Sequence, residues 1–219
     1  MCFSSQVSYI TSAILFPAGI YGVIKSLKCN KQYLLLSLIP VIFSLQQLSE
    51  GVLWGALALQ QYNLIDYGAL AYLFFAYLFW PMYIPCCFYF IEPMGARKKI
   101  LSVLIVCGFI LGCLVYIPLI TNTELFKVTI DYQAINFNIE QEQYKSVVYV
   151  VCYALIMFYS WLFCSITSIR ILGLLLLVSF LISVIWFEYA FTSRWCFFAA
   201  GLSLYIVYIM YKLTPKNNA

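Results

Sequence analysis

Two acidic residues, Glu50 and Glu188, lie inside long apolar stretches of the chain. A carboxylate in such a position can bind a ligand or exchange a proton. An ionisable group in such a setting is costly unless it is paired, hydrated or protonated, and it commonly marks a binding site or a proton relay. Glu188 has a simpler alternative, because it stands beside Tyr189 and near Arg194, where its side chain can reach a polar interface. Both acids are candidate proton sites.

Glu50 belongs to a polar face. Gln46, Gln47, Glu50 and Trp54 are separated by three, four or seven residues, so they share one side of a helix. We interpret this face as a polar pocket that binds a small molecule or a proton. The alternative is a structural network in which Glu50 accepts hydrogen bonds from Tyr, Ser or Trp side chains of neighbouring helices.

The composition defines the setting of these residues. Of the 219 residues, 65% are hydrophobic and 9% are charged, against about 45–50% and about 25% in soluble domains. Lipid must therefore solvate most of the chain. We predict an all-α membrane protein, a single domain over residues 1–219 that forms a bundle of seven transmembrane helices. The predicted spans are 8–26, 33–59, 67–91, 100–120, 146–167, 171–189 and 195–212.

The charges predict an orientation. Nine of the twelve cations lie in segments 25–31, 92–99, 168–170 and 212–219, which fall on one side of a seven-span bundle. By the positive-inside rule, the N-terminus is outside the cytoplasm and the C-terminus is inside. Because the first 24 residues contain no Lys or Arg, we expect a retained helix and no cleavable signal. The cations orient the chain, so no nucleic-acid partner is expected, and the lipid bilayer is the predicted partner.

A polar segment between the fourth and fifth spans alternates in character. Apolar and polar residues alternate over 126–133 and again over 135–140. Period-two alternation indicates a strand with one buried face. We predict a small extracytoplasmic β-hairpin over the outer mouth of the bundle; the alternative is an irregular loop.

Aromatic residues of the third span are further candidates. Tyr72 and Tyr77 stand close to Pro81 and Pro85, which interrupt the helical hydrogen bonding. We take both tyrosines as candidate ligand contacts. In a chain with 19 Tyr, most tyrosines pack or line the membrane interfaces.

The chain has nine Cys and no His, and no pair of Cys has the spacing of a zinc finger. We therefore predict no metal and no cofactor. With the predicted orientation, Cys2 and Cys196 lie at the outer face, where they could form a disulfide. The alternatives are that Cys2 is a nucleophile or an acylation site, or that both are plain thiols.

Three motifs carry a resemblance: Met1-Cys2-Phe3-Ser4-Ser5, the run from Phe43 to Gly51 that contains Gln-Gln-x-x-Glu-Gly, and Arg194-Trp195-Cys196-Phe197-Phe198-Ala199. The chain resembles an uncharacterised family of bacterial polytopic membrane proteins of unknown function. The resemblance implies the bacterial inner (plasma) membrane. It also implies that Cys2, Gln46, Gln47, Glu50, Trp195 and Cys196 belong to one signature, which adds Trp195 to the candidate ligand contacts.

Three functions fit these observations. The first is binding or transport of a small molecule or proton at an outward-facing pocket around Glu50. The second is an enzyme acting on a lipid or lipid-linked substrate at the outer leaflet, and the third is a sensor or structural subunit. A retinal protein needs a Lys within its last span, and metal-dependent intramembrane hydrolases need His ligands; neither is present. Whether the chain is an enzyme, and its oligomeric state, stay open.

Overall fold

A computed structural model describes residues 4–131, 134–140, 147–186 and 191–213. These residues form seven α-helices and a two-stranded hairpin, which confirms the predicted all-helical bundle with its hairpin. The helices are α1 (Ser5–Cys29), α2 (Leu34–Ala58), α3 (Tyr62–Ile91), α4 (Ala96–Thr121), α5 (Val147–Leu162), α6 (Thr167–Trp186) and α7 (Phe191–Lys212). The strands are β1 (Phe126–Asp131) and β2 (Ala134–Ile139).

The surface of the bundle is apolar. Within the described part of the chain, six helices are long and apolar enough to cross a membrane. The other, α5, has 16 described residues, which is about 24 Å at 1.5 Å per residue. Large apolar side chains such as Val103, Val106, Phe109 and Leu114 of α4 are exposed along the bundle. So large an apolar surface needs lipid around it, and the chain is an integral membrane protein.

Successive helices run in opposite directions, so the helix ends and their connections gather at two opposite ends of the bundle. At one end, which we call the basic end, the thiol of Cys29, the last residue of α1, lies 3.7 Å from the carbonyl of Leu213 after α7. There, too, the backbone N–H of Ser165 donates a 2.6 Å hydrogen bond to the buried carboxylate of Glu92 after α3. The opposite end carries the strands, and we call it the hairpin end.

The turn between α5 and α6 corrects a predicted boundary. The spans 146–167 and 171–189 were expected, but α5 ends at Leu162 and α6 begins at Thr167. Phe163 and Ile166 continue the apolar run through the turn and conceal it in the sequence. The described helix α6 ends at Trp186, and predicted positions 187–189 lie outside the described residues.

A π-helical turn interrupts α3 over Phe74–Phe79. The Trp80 N–H bonds to the Phe75 carbonyl, five residues back, and Pro81 follows without an N–H to donate. The hydroxyl of Tyr153 donates a 2.7 Å hydrogen bond to the Ala76 carbonyl in this turn. Such bonds from neighbouring helices are how lipid-embedded proteins satisfy backbone groups that a broken helix leaves open.

Helix α4 approaches the π turn through two glycines. A Cβ on Gly108 would lie 2.1 Å from the Pro81 carbonyl oxygen, and one on Gly112 would lie 2.7 Å from the Leu78 Cα. Glycines four residues apart permit this kind of backbone contact between membrane helices. This four-residue spacing of Gly108 and Gly112 is visible in the sequence but was not among the predicted features.

The hairpin covers the bundle with the predicted face. Its register pairs Phe126 with Ile139, Val128 with Phe137 and Ile130 with Ile135, so the alternating apolar residues share one side. The Phe137 ring stacks on Tyr72 of α3 with centroids 5.1 Å apart. The strands are therefore anchored on Tyr72, one of the predicted ligand contacts.

Candidate functional site

Glu50 lies in the hairpin-side half of α2, eight residues before the helix ends at Ala58, or about 12 Å along the axis. Its side chain is 1% exposed, as expected for the inner face of a bundle. Gln46 and Gln47 are also buried, whereas Trp54 is only partly buried. The predicted shared face is thus buried over Gln46, Gln47 and Glu50 and reaches a less buried position at Trp54.

Two hydrogen bonds hold the Glu50 carboxylate. The Ser193 hydroxyl of α7 donates to Oε1 at 2.5 Å, and Gln47 Nε2 donates to Oε2 at 3.0 Å. The buried Ser8 hydroxyl of α1 also faces this carboxylate. Glu50 therefore joins α1, α2 and α7 at one level of the bundle.

Gln46 extends the same level toward α3. Its Oε1 accepts a 2.8 Å hydrogen bond from Trp80 Nε1, and Trp80 stacks on Phe43 with centroids 4.2 Å apart. The Cys196 thiol of α7 faces both Gln46 and Tyr72. We call this set the Glu50 layer: Ser8, Gln46, Gln47, Glu50, Trp80, Ser193 and Cys196.

One polar atom of the layer, Gln47 Oε1, has no hydrogen-bond partner among the described residues. Ser8 Oγ and Gln46 Nε2 face the Glu50 carboxylate and the Cys196 thiol, respectively. Buried polar atoms are nearly always paired in folded proteins. An open acceptor beside a buried carboxylate is typical of a site that has room for water or a ligand.

A pocket of about 360 Å³ adjoins the Glu50 layer, and its aromatic lining leads us to call it the tyrosine pocket. Small-molecule sites occupy about 300–1,000 Å³ and are mainly apolar with a few polar groups. Cys196 belongs to both the pocket and the layer, and Thr192 precedes Ser193 in the chain. The lining residues are Ala76, Tyr77, Tyr149, Val150, Tyr153, Phe180, Val184, Phe191, Thr192, Trp195 and Cys196.

Hydroxyl groups organise the pocket wall. Tyr77 and Thr192 share a 2.9 Å hydrogen bond between their hydroxyls, and the Tyr72 hydroxyl donates to the Thr192 carbonyl at 3.4 Å. Thr192 therefore fixes the start of α7 against α3. The π turn matters here because Ala76 and Tyr77 lie within it and face the pocket.

The predicted site residues fall into three groups. Tyr77 and Trp195 line the tyrosine pocket, whereas Glu50, Gln46, Gln47 and Tyr72 are buried beside it. Glu188 and Cys2 lie outside the described residues. Cys196 is a buried free thiol, and since Cys2 is not described, the Cys2–Cys196 disulfide stays a prediction.

Several members were not predicted from the sequence. Ser193 and Thr192 directly precede the Arg194-Trp195-Cys196 motif, so the polar pair at the start of α7 was a usable signal. Ser8 gave no signal, because α1 also contains Ser5, Ser12 and Ser26 and nothing in the sequence distinguishes Ser8 from them.

The apolar exterior, the crossing helices and the buried polar layer define a polytopic α-helical membrane protein. Within that class, the chain belongs to the family of unknown function DUF6629, whose family model matches residues 1–219. The resemblance to an uncharacterised family is thus confirmed, while its bacterial origin and its signature motifs stay predictions. No curated protein and no solved structure matches the chain.

Proposed function

We propose that this protein binds a small molecule in the tyrosine pocket, with the Glu50 layer as the polar base of the site. The observation that carries the proposal is the position of Cys196, which lines the 360 Å³ pocket and also faces Gln46 of the layer. A ligand in the pocket would meet hydroxyl groups of Tyr77 and Thr192 and the ring of Trp195. These groups provide hydrogen bonds and flat apolar contacts together.

Binding is better supported than transport. Toward the basic end lies a second cavity of only about 30 Å³, with mainly apolar lining that includes Phe43, Trp80, Trp161 and Leu172. A polar solute or a proton crossing the bundle there would need groups to replace its hydration. We therefore propose a binding protein whose site lies in the hairpin-side half of the bundle, and transport stays a prediction.

The location follows from the charges. The basic end carries most of the cations of the chain, including Lys31, Arg97, Arg170 and Lys212, which favours placing that end in the cytoplasm. The tyrosine pocket would then lie in the outer half of the membrane, for which we propose the bacterial inner membrane. A sensor and a lipid-acting enzyme are compatible with the same pocket and remain predictions.

Ligand retention by the full chain tests this proposal. Wild-type protein in nanodiscs of synthetic phosphatidylcholine is incubated with the small-molecule fraction of a bacterial extract, washed and analysed by mass spectrometry. Ala76→Phe places a ring in the pocket, because Ala76 lines it. Ala71→Phe is the matched control, since Ala71 is exposed on the same helix.

A molecule retained by wild type and by Ala71→Phe but lost from Ala76→Phe supports the proposal. Glu50→Gln, which keeps the size of the side chain and removes the ionisable carboxylate, is expected to weaken retention of that molecule. Equal retention by wild type and Ala76→Phe, or retention of nothing by wild type, would overturn the proposal.

A further inference from the structure

The tyrosine pocket reaches the lipid-facing surface between α5 and α6. These helices approach most closely toward the basic end, where a Cβ on Gly173 would lie 2.6 Å from the Trp161 Cβ. The pocket occupies the space between their other ends. There Val150 of α5 and Val184 of α6 line the pocket, yet they are 44% and 41% exposed on the outside of the bundle.

The surroundings of this opening are hydrocarbon. Val151 and Leu155 of α5 and Leu181 and Ile185 of α6 are exposed beside it, within helices that the membrane must cover. A water-soluble molecule would have to cross lipid to enter here. A molecule already dissolved in the bilayer enters without leaving an apolar environment.

Trp195 separates the tyrosine pocket from the smaller cavity and carries a buried donor. Trp195 is 6% exposed and lines the pocket, and its indole N–H has no hydrogen-bond partner among the described residues. An indole N–H only donates, and a buried donor left unpaired is unfavourable. The complementary ligand group is an oxygen acceptor, such as a carbonyl, ester or phosphoryl oxygen.

We propose that the ligand is a membrane lipid whose acyl chain enters between Val150 and Val184 and whose oxygen-bearing head accepts a hydrogen bond from Trp195. This inference rests on the proposed binding function and specifies its ligand class. The acyl chain of the lipid would pack on Phe180 and Tyr153. The lipid head group would lie beside Thr192 and Cys196, next to the Glu50 layer. A bilayer phospholipid and a free fatty acid share this chemistry.

Photolabelling of the full chain tests the inference. The protein is reconstituted in phosphatidylcholine vesicles with one of two probes, a diacyl phosphatidylglycerol or a free fatty acid, each with a diazirine in its acyl chain. After irradiation, labelled peptides are mapped by mass spectrometry. Labelling is expected at pocket residues such as Tyr153 and Phe180, and the probe that gives it identifies the source.

Matched variants separate the pocket from the general lipid surface. Val184→Phe narrows the opening and is expected to remove most pocket labelling. Val178→Phe, on the exposed surface of the same helix, should leave it unchanged. Trp195→Phe, which keeps an aromatic ring without the donor, should lower pocket labelling about fivefold at limiting probe, as the loss of one hydrogen bond predicts. Unfolding midpoints equal to that of wild type identify the variants that are folded.

Pocket labelling that is the same in Val184→Phe and Val178→Phe, or absent with both probes, would overturn the lipid assignment. If the nanodisc experiment then still shows a small molecule displaced by Ala76→Phe, the binding function stands and only its ligand class is wrong. If no molecule is retained either, both fail.

Discussion

Ser193 and Glu50, 143 residues apart in sequence, share a 2.5 Å hydrogen bond in the interior of the bundle. The bond joins the start of the last helix to the hairpin-side half of the second. Because both side chains are buried, the bond supplies Ser193 with a polar partner and Glu50 with one donor beside Gln47. The start of α7, which also supplies Thr192, Trp195 and Cys196 to the pocket, is thereby tied to the intramembrane carboxylate.

Removal of the Ser193 hydroxyl should weaken the bundle. Ser193→Ala is expected to lower the free energy of unfolding by about 1 kcal/mol, because Glu50 loses a donor in a region where few alternatives exist. Steric trapping in bicelles would measure this. Ser179→Ala is the control, since the Ser179 hydroxyl bonds to the Leu176 carbonyl of its own helix. Equal losses for the two variants would argue against a special role for Ser193.

The close approach of α4 to the π turn predicts a strong glycine effect. Gly108→Ala should destabilise the protein by about 2 kcal/mol or more, because its Cβ would collide with the Pro81 carbonyl. Gly201→Ala should be neutral or slightly stabilising, since a Cβ there meets nothing within 4 Å. Unfolding midpoints of the two variants in one detergent provide the comparison. A harmless Gly108→Ala would contradict the packing of α3 on α4.

A second buried acid, Glu92, lies at the basic end, away from Glu50. Glu92 is buried, accepts the Ser165 N–H at 2.6 Å and lies 3.8 Å from Arg97. Glu92→Ala should cost about 1 kcal/mol, because the Ser165 N–H loses its charged acceptor while Ser165 itself is exposed to other partners. Arg97→Ala should cost less than about 1 kcal/mol, since the Arg97 side chain is 56% exposed and the pair is long. Free energies of unfolding of the two variants test this comparison. A larger loss of stability for Arg97→Ala than for Glu92→Ala would contradict the assignment of the stabilising contact to the Ser165–Glu92 hydrogen bond.

The polar face of the hairpin predicts an acid-dependent effect. Hydrogen bonds from Asn136 Nδ2 and the Thr129 hydroxyl stabilise the ionised form of Asp131 and lower its pKa below the ordinary 3.8. Asp131 therefore stabilises the hairpin above pH 3.8, and this contribution is lost as the pH falls through the lowered pKa. NMR titration of carboxyl-labelled aspartate should give a midpoint below 3.8 for the resonance that Asp131→Asn removes. A midpoint at or above 3.8 would contradict these bonds.

The orientation predicts which loops react from outside the cell. Thr123→Cys, exposed at the hairpin end, should react with a membrane-impermeant maleimide on intact cells. Met94→Cys, exposed at the basic end, should react only after the cells are opened. Labelling of the parent protein, which carries its own Cys residues, sets the background. The reverse pattern would place the basic end outside.

Much of the fold could be predicted because it depends on local patterns. The apolar runs gave the helices, and alternation gave the strands with the correct buried face. The α5–α6 turn was misplaced because Phe163 and Ile166 are as apolar as the helices they separate. Helical spacing placed Trp54 on the same face of α2 as Gln46 and Gln47. It did not predict that Trp54 is only partly buried while the two glutamines are fully buried, because burial depends on how far the neighbouring helices extend.

Only part of the candidate site could be predicted from the sequence. Glu50 stands out because a carboxylate is unusual in an apolar helix. The tyrosine pocket also depends on the π turn and on the separation of α5 from α6, and neither leaves a local pattern in the sequence. Tyr149 and Tyr153 face the pocket, but in a chain with so many tyrosines only the packing of the helices distinguishes them.

An experimental structure of the full chain in nanodiscs of native membrane lipid would show whether a lipid occupies the tyrosine pocket. We expect non-protein density in the pocket, in contact with Trp195 and Thr192 and extending between Val150 and Val184 toward the bilayer. A pocket closed by the side chains of Tyr77, Tyr153 and Trp195, with no density between them, would contradict this expectation.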